Sequence, residues 1–174
     1  MWMWILGLLI LGIGLSILLP SFVGGAWSPT PMPVVHKMLE YARLQPGETL
    51  YDLGAGDGRV IMTAGGLPGV RAIGVEIDPL RWALCKWRAR GRANIQVLRE
   101  NMFHLDLRDA DVVTFYLSQG AADLLQEKLQ AELGPGARVI SNRRPIPGWQ
   151  PQLVDEEFGL YVYVMEEQGK GNKS

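Results

Sequence analysis

With 174 residues the chain has room for one domain with a sizeable core. Its formal net charge of -1 leaves no electrostatic footprint for duplex nucleic acid, although a local patch at Arg143 and Arg144 can attract an anionic surface. The single cysteine, Cys85, excludes an internal disulfide framework and any CxxC metal spacing, and reads as a small buried apolar residue.

Charge is unevenly placed, since none of the 17 Lys+Arg or 18 Asp+Glu residues precedes Lys37. Residues 2–23, WMWILGLLILGIGLSILLPSFV, contain no ionisable side chain. At roughly 1.5 Å per residue a helix of that length covers about 33 Å, enough to cross a bilayer. This predicts an N-terminal transmembrane helix over 2–23, with Trp2 and Trp4 at one interface and Trp27 at the other. A cleaved signal peptide is the competing reading, because Gly24-Gly25-Ala26 offers small residues for cutting. The apolar run is long for such a peptide, and no cationic residue precedes it. Lys37 and Arg43 follow the span closely, so the positive-inside rule predicts a single-pass membrane protein with its remaining domain in the cytoplasm.

A proline-rich connector is expected over 24–33, followed by a domain over 34–167 and a disordered tail over 168–174. Val35, Met38, Leu39 and Ala42 recur at helical spacing, predicting a helix from Val34 to Ala42 that ends before Pro46-Gly47. Strand and helix then alternate: strand Thr49–Leu53, helix Arg59–Ala64, strand Arg71–Glu76, helix Pro79–Arg90, strand Ile95–Arg99 and strand Asp111–Leu117. Helix Ala121–Leu133 and strand Arg138–Ser141 complete the alternation. Gln152–Phe158 and Tyr161–Met165 read as two strands joined through Gly159. The pattern predicts an α/β fold, a Rossmann-like seven-stranded sheet, mostly parallel, closed by an antiparallel C-terminal hairpin.

Asp52-Leu-Gly54-Ala-Gly56-Asp-Gly58-Arg59 leaves a predicted strand and opens a predicted helix, where glycines let the backbone approach a nucleotide cofactor. A dinucleotide fingerprint starting at Gly54 needs glycine where Arg59 stands, and pyrophosphate gives Asp52 no partner. S-adenosylmethionine carries no phosphate but has an α-ammonium and a sulfonium, which suit an acid leading a GxGxG turn. Glu76, at the end of the next strand, can accept from both ribose hydroxyls. The plain structural alternative is a tight turn at Gly54, Gly56 and Gly58, with Glu76 capping the following helix. After the third strand, Asn101 is placed to accept from an adenine amine while Met102 or Phe103 packs on the ring.

With these residues in hand, the domain resembles the seven-β-strand methyltransferases. More narrowly it is similar to the family of archaeal protein-lysine methyltransferases and the mitochondrial lysine methyltransferases of ATP synthase subunit c and the adenine nucleotide translocase. The resemblance runs from Pro29 to about Trp149. It rests on Pro29-Thr-Pro31, Tyr51–Val60, Gly74-Val-Glu-Ile-Asp78, Asp111–Leu117, Lys128-Leu129 with Glu132-Leu133, Pro135–Ser141 and Ile146-Pro-Gly-Trp149. It implies S-adenosylmethionine as cofactor, no metal, and a lysine acceptor on a membrane or membrane-proximal protein. An apolar small molecule such as a lipid or quinone is the alternative acceptor, and a non-catalytic cofactor-binding module the alternative class. Two departures bear on the acceptor: Asn142 stands where family members tend to have histidine, and Gly65-Gly66 weakens the helix after the glycine loop.

Methyl transfer from a sulfonium is an in-line displacement, so catalysis rests on holding the acceptor in a near-attack geometry. Tyr116, at the C-terminal end of the fourth strand, is the candidate catalytic residue for orienting it. Thr30 either caps the following helix or closes over the cofactor, and Trp149 either lines the substrate mouth or anchors its loop in the core. His36 and His104 have no ligand spacing.

Overall fold

Seven short runs rich in Val, Ile and Leu pair into one sheet. The structure is a computed structural model and describes Trp2, Trp4, Gly7 and residues 28–166. The strands are β1 (Thr49–Leu53), β2 (Arg71–Val75), β3 (Ile95–Leu98), β4 (Val112–Phe115), β5 (Arg138–Asn142), β6 (Leu153–Asp155) and β7 (Leu160–Val164). Over residues 28–166 four helices accompany them: α1 (Met32–Ala42), α2 (Arg59–Ala64), α3 (Pro79–Arg88) and α4 (Gln119–Glu132). The sheet order is β3-β2-β1-β4-β5-β7-β6, parallel from β3 through β5, with β7 antiparallel to both β5 and β6. The chain runs outward from β1 to β3 and then returns to β4 beside β1. That reversal opens a crevice at the C-terminal ends of β1 and β4, where open α/β sheets bind ligands.

Both faces of the central strands are covered, which is why β1 and β4 are buried throughout. On one face Leu50, Val112 and Ile140 pack with α1, α2 and α3 through Val35, Met38, Ile61 and Cys85. On the other, Tyr51, Leu53, Val113 and Phe115 pack with α4 through Leu125 and Leu129. Alternation along β1 therefore turns Asp52 to the same face as Leu50, over the crevice. Gly74 on β2 pairs in register with Asp52, and a Cβ there would come 2.7 Å from Ile61 Cδ1 and 2.9 Å from Ala55 Cβ. Glycine is what lets α2 sit this close to the sheet.

The expected elements lie within a few residues of their predicted bounds, with physical reasons for the shifts. Helix α1 starts at Met32 because Pro33 falls in its first turn, where a missing N–H costs nothing. Helix α4 starts at Gln119 because Ser118 caps it, its hydroxyl accepting from the Ala121 N–H at 3.3 Å. One part of the expected fold class is corrected. Among the described residues no helix is long and apolar enough to cross a membrane. The longest of them, α4, has 14 residues, short of the roughly 20 a span requires. The transmembrane helix expected over 2–23, and the bilayer contact assigned to it, are therefore not supported by the described helices. Apart from Trp2, Trp4 and Gly7, that segment lies outside the described residues, as does the tail from 167.

A Gly74→Ala variant is expected to lose about 1–3 kcal/mol, since Ala55 Cβ cannot swing aside as a flexible side chain would. Urea unfolding checks this through a lowered midpoint with an unchanged slope.

Candidate active site

The crevice holds a cavity of about 380 Å³. Its walls come from the glycine loop after β1, the end of β2 at Glu76 and Ile77, the Glu100–Phe103 loop after β3, Tyr116–Ser118 after β4, Arg144, and Ser28–Thr30 ahead of α1. Of the sequence-predicted residues, Asp52, Gly54, Gly56, Glu76, Asn101, Met102 and Tyr116 all line it. Gly58 and Trp149 do not appear in its lining.

Asp52 is almost fully buried, and its Oδ1 accepts a 2.8 Å hydrogen bond from the Thr114 hydroxyl. The two residues are register partners across β1 and β4, so the pairing of the strands itself delivers this donor. Burial pushes the Asp52 carboxyl up to about 7, against the Thr114 hydrogen bond, with the negative charges of Glu76 and Asp57 adding to the rise. A cation placed beside Asp52 reverses that logic and favours the carboxylate.

Glu76 is equally buried, and its plane is fixed by two backbone donors: the Gly56 N–H reaches Oε2 and the Asp78 N–H reaches Oε1, both at 2.9 Å. Each oxygen retains acceptor capacity for a ligand hydroxyl. The capping of α3 falls to Asp78, which accepts from the N–H groups of Leu80 and Arg81. Glu76 is thus free of the capping role that the plain structural alternative gave it.

The glycines divide by role. Gly54 and Gly56 have φ of 78° and 57° and turn the chain under the cavity. At Gly58, with φ 81°, a Cβ would come 2.5 Å from Cys85 Sγ, so this glycine permits close packing of α3 instead. Cys85 is fully buried, and burial pushes its thiol up to about 12, consistent with an inert apolar role. Asn101 folds back on its own loop, its Oδ1 accepting from the Phe103 N–H at 3.1 Å, with Met102 and Phe103 beside it on the cavity wall.

Trp149 stacks edge-on against Tyr163, centroids 5.6 Å apart, which makes it a core anchor for its loop. Thr30 is buried and lines the cavity, while the residue at the α1 cap position is Pro31, with no side-chain cap. Of the two roles open to Thr30, capping is corrected. Its Oγ1 lies 3.5 Å from Asn142 Nδ2 at the end of β5.

Several residues of the cavity wall and of the layer behind it escaped the sequence reading. Asp57 is gripped by Arg59 through Nε at 2.9 Å and a terminal nitrogen at 2.8 Å, and by Arg88 at 2.7 Å. The Arg59 hydrogen bonds, then those of Arg88, hold its carboxyl down at about 2. Thr114 carried a usable signal, being a lone hydroxyl inside an otherwise apolar buried strand, where a partner is required. Arg59 carried none, because its third contact lies 29 positions upstream.

Paired buried carboxylates suit a ligand with cations and ribose hydroxyls, and the volume matches a nucleoside-sized molecule. Together with a parallel sheet carrying an antiparallel seventh strand beside β5, this makes the protein an S-adenosylmethionine-dependent methyltransferase. The chain belongs to the family of the ANTKMT methyltransferase domain, whose profile matches residues 52–153. It is 41% identical over 151 residues to a protein-lysine N-methyltransferase of Saccharolobus islandicus (strain REY15A), covering 80% of this chain and 92% of that one. It is 37% identical over 140 residues to the adenine nucleotide translocase lysine N-methyltransferase of Mus musculus, covering 79% of this chain and 61% of that one. Among solved structures, an RNA methyltransferase from Salinibacter ruber in complex with S-adenosyl-L-homocysteine superposes with a TM-score of 0.76 at 35% identity, covering 81% of this chain and 95% of that one.

Because the Asp52 carboxyl titrates near 7 without ligand, binding the cationic cofactor is expected to expel a proton below that pH. Affinity should fall as pH drops from 8 to 6, approaching tenfold per unit at the acid end. Calorimetry in buffers of different ionisation enthalpy measures the released proton. Asp52→Asn should abolish the release and flatten the profile.

Proposed function

We propose that this methyltransferase transfers its methyl group to a lysine side chain of a protein. The observation that carries the reading is the archaeal protein-lysine N-methyltransferase, matched across nearly its whole length at 41% identity. The mouse relative, acting on the adenine nucleotide translocase, supports the same acceptor chemistry.

Bound in the cavity, S-adenosylmethionine supplies a methyl group made electrophilic by its sulfonium. The chain's own task is to present a neutral amine to it. A lysine with an ordinary pKa of about 10.4 has to lose its proton before its lone pair is available. An apolar mouth lowers that pKa by penalising the ammonium. Leu117, next to Tyr116, contributes such surface to the cavity wall. We assign Tyr116 to orienting the amine, its phenol oxygen accepting from the amine N–H, with the displaced proton passing to solvent. Asp52 and the glycine loop would hold the amino-acid end of the cofactor, Glu76 its ribose, and Asn101 with Met102 its adenine.

One observation favours a second acceptor class, namely the RNA methyltransferase from Salinibacter ruber. A formal net charge of -1 argues against it, since polyphosphate binding draws on clustered cations.

Incubating the protein with methyl-labelled cofactor and an extract of its host separates these acceptors. Ribonuclease-resistant label recovered as methyllysine after acid hydrolysis is the expected result. Label lost to ribonuclease, or extracted with lipid and resolved by thin-layer chromatography, would overturn it. Tyr116→Phe is expected to lower kcat by about tenfold or more, within the usual range for one positioned polar group. S-adenosylhomocysteine affinity should stay within a factor of two, which calorimetry checks.

A further inference from the structure

Ser28, Pro29 and Thr30 form a wall of the cavity, yet they lie just ahead of α1 and belong to no element of the sheet. Ser28 and Pro29 are exposed on their outer side, and Thr30 is buried. Among the described residues, the strong hydrogen bond to this wall comes from one guanidinium. Arg59, the first residue of α2, donates from its remaining terminal nitrogen to the Thr30 carbonyl at 2.7 Å, while its other two nitrogens grip Asp57 in the glycine loop. Among the described residues, Thr30 Oγ1 also lies 3.5 Å from Asn142 Nδ2, and Asn142 Oδ1 is buried without a partner.

We propose that Arg59 is a positioning residue for the cofactor, tying Ser28–Thr30 to the glycine loop as a strap across the cavity. The planar fork of arginine suits the task, because it can satisfy a carboxylate with two parallel N–H bonds and still direct a third donor elsewhere. Asp57 stays ionised throughout the working pH range, so the grip does not loosen with pH. Arg88 approaches Asp57 from the far side, bonding its carboxylate and its carbonyl oxygen, and leaves Thr30 untouched. The strap thus depends on Arg59, whereas the glycine loop is braced by both arginines. Affinity for the cofactor and order in the strap are coupled, and by linkage each must strengthen the other.

The full chain tests this with S-adenosylhomocysteine as the probe. Arg59→Gln should weaken binding by about tenfold, near the low end of typical coupling factors. It should raise KM for S-adenosylmethionine to match, while kcat at saturating cofactor changes by less than threefold. Arg59→Lys, which can serve Asp57 or Thr30 but not both, should fall between. Arg88→Gln removes the other brace from Asp57 and should cost less than threefold. In the parent, S-adenosylhomocysteine should slow proteolysis between residues 24 and 31, and in Arg59→Gln it should not. Equal losses in Arg59→Gln and Arg88→Gln would place the effect in the glycine loop and overturn the strap, as would unchanged affinity in Arg59→Gln. Should Arg59→Gln unfold, Pro29→Gly supplies the same test. It loosens the strap at an exposed position and should weaken binding several-fold at an unchanged Tm, and undiminished affinity there would equally reject the proposal.

Discussion

A carboxyl buried in the middle of a seven-stranded sheet is the constraint around which this molecule is arranged. Asp52 occupies a position where an apolar residue would cost nothing, and its own burial works against its charge. The surroundings compensate only in part. Thr114 donates one hydrogen bond, while Gly74, the register partner on the other side, makes room for Ile61 and Ala55 and offers the acid no donor. An apolar core would be more stable here, so the acid is a site that stability alone does not explain. Such strain against folding marks positions where a ligand completes the electrostatics.

The second carboxylate is held differently. Glu76 receives two backbone donors, one from the glycine loop and one from the entry to α3, so three segments meet at a single side chain. Because Asp78 takes over the cap of α3, Glu76 keeps its remaining lone pairs directed toward the cavity side of the loop. The glycine loop is consequently fixed from below by the sheet, from one flank by Glu76, and from the other by the pair of arginines on Asp57. Little reorganisation is left for the moment of ligand binding, which is the condition under which electrostatic groups contribute most.

Much of this arrangement is legible in the sequence because the chemistry needs particular residue types close together along the chain. Asp52, Gly54 and Gly56 lie within one turn, and Glu76 follows at the end of the next strand, a spacing set by one strand-helix-strand unit. What was not legible depends on register or on distant return of the chain. Thr114 meets Asp52 only because β4 pairs beside β1, 62 positions away. Gly58 looked like a third ligand-facing glycine, but its demand comes from Cys85 on α3. Trp149 was ambiguous until Tyr163, on the final strand, supplied the ring it packs against. Hydropathy over 2–23 suggests a span that the described helices do not include, and apart from Trp2, Trp4 and Gly7 that segment lies outside the described residues.

The placement of the last strand has a consequence for how the molecule comes into being. β7 is inserted between β5 and β6, and β6 pairs with nothing else in the sheet. While a nascent chain emerges from its ribosome, β1 to β5 can assemble, but the flank of β5 stays open until residues 160–164 have been synthesised. For that interval Val139 and Ile140 border an unfilled edge, the kind of surface that recruits other chains. The polypeptide thus closes this edge only after β6 has been made, and truncations that remove β7 should leave the crevice attached to an aggregation-prone flank.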